Sequence, residues 1–367
     1  MKNEVSLKGK RNYGIDLLRI VSMLMVVILH ILGQGGVLKS SQILSSQYEV
    51  ACFLEMACYC AVNCYARISG YVGVDSKFKL SNIAYIWLQV IFYSVGIAAL
   101  FAYFIPEVYI NDVFEGFLPV TKNLYWYFTA YFCIFFFMPF FNKAIQNMSE
   151  KQLKYIGVCI FIIFSIMQTL AKREVFYTNC GYSALWLALL YVLGGIIKKT
   201  EFLSKVKNYW LALIYLLCIV ITWVEKYVID YLNQASPVEP ERVGWLVSYI
   251  SPTILISAIV LVVLFSKIKT GNVSAKLIAF FAPLSFGVYL IHVQKHIWIY
   301  VMKERFIWLA EYNATVIILA VLGYAVAIFL ACIVIEFVRD LLFKLLKIKQ
   351  SLQKIEAKIF GKILVKN

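Results

Sequence analysis

The sequence predicts an all-α fold: a polytopic membrane bundle of about ten transmembrane helices with both termini cytoplasmic. Three observations lead there. Of 367 residues, 62% are hydrophobic and only 15% are charged, with a mean hydropathy of +0.79. A water-soluble domain has no use for that much apolar surface. The apolar residues gather in ten runs separated by short polar stretches. The cations between those runs alternate between a rich and a poor side, 24 against 8, with Arg19, Arg67 and Lys295 left inside runs.

The runs lie near 14–33, 48–72, 83–105, 123–141, 155–171, 183–197, 209–229, 244–266, 278–302 and 314–343. The first follows the basic Lys8-Gly9-Lys10-Arg11 and lacks a small-residue cleavage site, so it reads as its own insertion signal. The fifth and sixth are short for a hydrocarbon layer of about 30 Å and are expected to be tilted or re-entrant. An even count puts both termini on one side, and the cation excess makes that side cytoplasmic. Outer loops are expected at 106–122 and 230–243, the second acidic with Glu239 and Glu241. From Phe343 to Leu364, apolar residues alternate with lysines at helical spacing, as in an interfacial amphipathic helix. The chain thus divides into a transmembrane domain, 1–343, and a basic cytoplasmic tail, 344–367. Anionic lipid and topology account for the net charge of +15, and no nucleic-acid partner is implied. Most of the nine cysteines lie in apolar runs, where they behave as small hydrophobes. None has zinc-ligand spacing with a histidine, and no metal is expected.

Within the first run, Arg19 and His30 stand eleven residues apart. That is nearly three helical turns, so both side chains share a face, about 16 Å apart along the axis. Ionisable groups at membrane depth are costly and face cavities or partners, so a pair spanning most of the bilayer suggests a polar tunnel. Depth counting places Asp16, Arg67 and Glu336 with Arg19 near the cytoplasmic edge. It places Glu55, His292, Lys295 and His296 with His30 in the outer half. Each has a plainer reading: Arg67 and Glu336 as a helix-pairing ion pair, Glu55 as a neutral structural acid, His292 as a satisfied core histidine, Lys295 and His296 as interfacial residues.

The segment Asp16-Leu17-Leu18-Arg19, followed by ten residues and then His30, resembles the signature of the family-3 membrane acyltransferases. Four later stretches are similar to that family's elements, in order along the chain: Ala61 to Tyr71, ending in Ser69-Gly70-Tyr71; Leu124-Tyr125-Trp126-Tyr127; Tyr182 to Trp186 with Tyr191 to Gly195; and Leu284 to His292. The resemblance spans 11–342. Two departures stand out. Lys77 and Lys79 occupy the region where some members carry Arg-x-x-Arg, and Arg67 replaces a commoner apolar residue. Many members continue into an extracytoplasmic esterase-like domain that this sequence does not contain, so transfer is expected to finish in the membrane domain or pass to another protein.

The resemblance implies cytoplasmic acyl-CoA, with acetyl-CoA as the default, as donor. It implies a hydroxyl of a cell-surface or lipid-linked glycan as acceptor. Arg19, with Arg67, Lys77 and Lys79, would hold the donor phosphates, since guanidinium binds phosphate oxygens in a fork. Asp16 would orient Arg19. His30 would act as general base or itself carry the acyl group, and Glu55 or His292 would set its tautomer. Membrane lipid and a homodimer are further candidate partners. The strongest rival is a transporter or flippase for a polar solute or lipid-linked sugar. Against it stand the lack of an internal repeat and of paired broken helices. A non-catalytic assembly subunit is a third class.

Overall fold

The computed structural model describes residues 11–171, 173–237 and 243–364, with side chains to Ile359; Glu239, Glu241 and the basic Lys8-Gly9-Lys10 stretch lie outside them. Among the described residues the secondary structure is helical throughout, with no strand. The helices are α1 (Tyr13–Leu32), α2 (Ser46–Cys58), α3 (Ala61–Gly73), α4 (Leu80–Phe104), α5 (Ile110–Glu115), α6 (Trp126–Phe135) and α7 (Met138–Asn147). They continue as α8 (Glu150–Phe161), α9 (Ala184–Lys199), α10 (Asn208–Ala235), α11 (Pro252–Ser266), α12 (Asn272–His292), α13 (Ala314–Leu345) and α14 (Ile348–Leu364).

Among the described residues, six helices are long and apolar enough to cross a bilayer: α1, α4, α8 with its continuation to Ala171, α10, α12 and α13; α6 and α7, bent by 59°, add a seventh if counted as one span. The other predicted runs fall on shorter helices. The second run breaks at Tyr59 and Cys60 into α2 and α3. Asn63, one turn into α3, is fully buried and ties this break to two neighbours, donating to the Tyr249 carbonyl at 2.7 Å and accepting from Trp186 Nε1 at 3.1 Å. The eighth run keeps only the 15 residues of α11, because Ser251 caps the helix and Pro252 opens it. The fifth run is longer than expected: a capping box of Ser149 and Gln152 starts α8 at Glu150. The fourth bends where Pro139, in the first turn of α7, lacks an N–H and restricts its predecessor. The ninth ends as a regular helix at His292, before a turn at Val293 and Gln294.

The core lies where α1, α3, α6, α9 and α12 meet, around the buried Trp186, Tyr191 and Phe128. The tightest crossing is α3 on α9. A Cβ on Gly70 would sit 1.8 Å from the Tyr191 carbonyl oxygen, and one on Gly194 would sit 2.1 Å from that of Arg67. Only glycine permits two backbones to approach so closely. By contrast α10 and α13 leave large apolar side chains exposed, among them Leu216, Leu217, Ile221, Leu319 and Val334. Outward-facing apolar surface of this kind suits lipid rather than water. The tail folds as α14 and packs on α4, where Glu356 accepts the Leu80 N–H at 2.6 Å.

Candidate active site

Positions 19, 23, 26 and 30 form one stripe of α1 by helical spacing, continued by the C-cap Gly33. Met23, Val26, His30 and Gly33 of that stripe line a cavity of about 500 Å³. Opposite walls come from Val62 and Tyr65 of α3, Tyr125 to Tyr127 at the start of α6, and Phe286 and Tyr289 of α12. Tyr182, Tyr249 and Trp298 complete an aromatic lining near His30, and Lys295, its side chain half exposed, marks the mouth.

His30 Nδ1 lies 2.8 Å from His292 Nε2, and His292 Nδ1 lies 2.5 Å from the Val288 carbonyl oxygen. A carbonyl only accepts, so His292 Nδ1 carries the proton. The Nε2 of neutral His292 is then bare and accepts from His30 Nδ1–H. The hydrogen-bond network therefore leaves His30 Nε2 unprotonated, and His30 lines the cavity. Trp298 packs edge-on against the His30 ring, centroids 4.7 Å apart, and limits its rotation. Such an imidazole can take a proton from a hydroxyl or attack an acyl carbon.

At the other end of the stripe, Arg19 Nη1 donates to Asp16 Oδ1 at 3.3 Å, while Arg11 Nε donates to Asp16 Oδ2 at 2.5 Å. The Arg19 side chain keeps 26% of its surface exposed, leaving donor groups for a ligand. The cavity lining starts at Met23, one turn beyond Arg19. Tyr65 and Tyr127 line the chamber, and they and Tyr131 lie within electrostatic reach of the guanidinium. In place of the expected tunnel the structure has a chamber whose lining stops short of Arg19.

The other expected site residues lie apart from this stripe. Arg67 is fully buried and donates from Nη1 to the Leu255 carbonyl at 3.1 Å, away from the chamber among Cys60, Cys64 and the α11 side chains. It makes no pair with Glu336. Glu336 bonds instead to Arg339, to Gln89 Nε2 at 3.0 Å and to the Tyr93 hydroxyl at 2.6 Å. Depth along the membrane normal brought the two together on paper; their directions around the bundle separate them. Glu55 does not line the chamber; it interacts electrostatically with Cys52, Cys58, Lys226 and Tyr59, and the Tyr59 ring packs on Tyr249 at 5.0 Å. Of the two expected partners of His30, His292 holds the place. Lys77 and Lys79 are exposed, and Lys79 faces Glu356 of the tail. His296 lies outside the His30–His292 pair. It stacks on Phe101 at 5.7 Å and lies 3.6 Å from Asp112 of α5, which also binds Lys295 at 2.7 Å. Burial lowers its imidazole below the ordinary histidine value, with Asp112 opposing.

Several site groups had no separate place in the sequence reading. Trp298 and Tyr249 carry no local signal that distinguishes them from belt aromatics. The Val288 carbonyl was legible in principle, because it lies four residues before His292 in one helix, the spacing of a side-chain to backbone bond.

A family model described as an acyltransferase domain matches residues 12–336, nearly the whole chain. No curated protein and no solved structure matches it.

Proposed function

The chain belongs to acyltransferase family 3, and from that premise we propose that it is an integral membrane O-acyltransferase. It moves an acyl group, acetyl by default, from cytoplasmic acyl-CoA to a hydroxyl of a cell-surface glycan or its lipid-linked precursor. The observation that carries this reading is the bare Nε2 of His30 in the chamber, held in that tautomer by His292. In the proposed step the acceptor hydroxyl gives its proton to His30 Nε2 while its oxygen attacks the thioester carbonyl carbon. The new C–O bond forms, the C–S bond breaks, and the departing thiolate takes the proton back from His30. General-base help of this kind is worth about 10²–10⁴-fold. His292 accepts from His30 Nδ1 throughout and shares the transient positive charge.

Arg19, oriented by Asp16, binds the donor phosphates at the other end of α1. The 24-to-8 cation asymmetry supports ten crossings with the Arg19 end and both termini in the cytoplasm. The aromatic lining near His30 suits the apolar faces of a sugar ring. The test is a radiolabelled acetyl-CoA assay on purified protein in lipid nanodiscs, with membrane glycan extract as acceptor. Labelled ester in the glycan, absent with His30→Ala, is the expected result. No ester with the native protein, together with movement of a lipid-linked sugar across the bilayer, would replace this reading with a flippase.

A further inference from the structure

Tyr127 poses a question that the dyad and Arg19 do not answer. It lines the chamber and is 7% exposed, and its hydroxyl has no hydrogen-bond partner. An unpaired buried hydroxyl destabilises a fold, whereas phenylalanine would fill the same space without that cost. Phenylalanine is the ordinary choice on this helix, at 128, 132 and 135. Nearby buried tyrosines are satisfied: Tyr125 donates to the Leu290 carbonyl at 3.1 Å, and Tyr191 to Asn142 Oδ1 at 2.8 Å. Tyr127 is therefore a donor inside a cavity, waiting for an acceptor.

Its position says which acceptor. Tyr127 lines the chamber, its ring edge-on to Tyr65 at 5.9 Å and to Tyr289 at 6.2 Å. Arg19 acts electrostatically on it and on Tyr131 one turn along α6. Both tyrosines thus lie within electrostatic reach of the guanidinium, and Tyr127 also lines the chamber. A donor with its phosphates at Arg19 and its thioester at His30 must lay its linking arm past them, over about 16 Å of α1. In a coenzyme A thioester that arm carries secondary amides, whose carbonyls are good acceptors in an apolar passage.

We propose that the Tyr127 hydroxyl binds the acyl donor by donating to an amide carbonyl of its pantetheine arm, between Arg19 and His30. The proposal rests on the acyl-CoA reading above and names a binding residue for it.

The test compares native protein with Tyr127→Phe in nanodiscs, using acetyl-CoA and adenosine 3′,5′-bisphosphate, which shares the phosphates but lacks the arm. Tyr127→Phe is expected to leave the thermal midpoint of the free protein unchanged or raised. It should weaken acetyl-CoA binding about threefold to tenfold, the worth of one hydrogen bond, and leave the bisphosphate unaffected. Thr129→Val, which removes another unpaired hydroxyl of α6 that does not line the chamber, should leave acetyl-CoA binding as it was. An unchanged acetyl-CoA affinity in Tyr127→Phe, or equal weakening of both ligands, overturns the proposal alone. Failure of the native protein to bind acetyl-CoA at all overturns the donor reading with it.

Discussion

His292 stands 2.8 Å from His30 through Nε2 while its Nδ1 is engaged by the Val288 carbonyl at 2.5 Å. The second contact decides the first. A carbonyl demands a proton on His292 Nδ1, which makes His292 an acceptor toward His30 and leaves His30 Nε2 bare. Helix α12 thus sets the chemistry of a side chain on α1.

This relay predicts an order among substitutions. His30→Ala should abolish transfer. His292→Ala should reduce kcat by about 10–100-fold, the effect of an unmade hydrogen bond of about 1–3 kcal/mol on a positioned base. His292→Gln, whose side-chain oxygen can accept from His30 Nδ1, should retain more activity than His292→Ala. Single-turnover acyl transfer with each variant measures this, and equal rates for the two His292 variants would count against the tautomer relay.

Arg19 makes a different demand. Its guanidinium, oriented by Asp16, should bind donor phosphate in a fork that an ammonium cannot copy. Arg19→Lys should raise KM for acetyl-CoA about tenfold or more with a smaller change in kcat. Asp16→Asn should follow in the same direction more weakly. Steady-state kinetics over a range of acetyl-CoA concentrations separates the two parameters.

The α3–α9 crossing predicts a stability contrast. Gly70→Ala would place a methyl 1.8 Å from the Tyr191 carbonyl oxygen, forcing α9 away from α3, whose Val62 and Tyr65 line the chamber. The helix-propensity gain of at most about 1 kcal/mol cannot offset overpacking of about 1–3 kcal/mol or more. Gly96→Ala meets nothing within 4 Å and should be neutral or stabilising. Thermal midpoints from fluorescence-detected chromatography should fall for the first variant and not for the second.

The contact of His296 with Asp112 of α5 should respond to acid. Burial lowers the His296 imidazole in the folded protein, so the unfolded chain takes up its proton at higher pH. Between the unfolded and folded values, unfolding gains a proton, and stability rises with pH. The contribution is fully present above the unfolded value, near pH 6.5, and is lost as pH falls through that window. The thermal midpoint should drop between about pH 7 and about pH 5, and His296→Gln should flatten the drop. A native curve identical to that of the variant would remove His296 as its origin.

Much of this site was readable along one helix. The Arg19–His30 stripe and the Asp16 contact three residues from Arg19 follow from helical periodicity, and the structure places Met23, Val26 and Gly33 of the same stripe on the cavity. The choice of His292 over Glu55 was not readable, because it depends on a contact across 262 positions. Nor was the separation of Arg67 from Glu336, since hydropathy reports depth and not direction around the bundle.

The sequence by itself determined that the chain is helical, that it is built for a membrane, and that one helix carries a guanidinium and an imidazole on a common face. Those properties are local: they follow from apolar content and from 3.6 residues per turn. The tertiary structure decided which helix faces the imidazole, where the runs break at Tyr59 and Phe136, and where the chamber stops short of Arg19. These depend on how helices rotate against one another. That rotation is set by close packing, as where Gly70 meets the Tyr191 backbone, between residues the chain holds far apart.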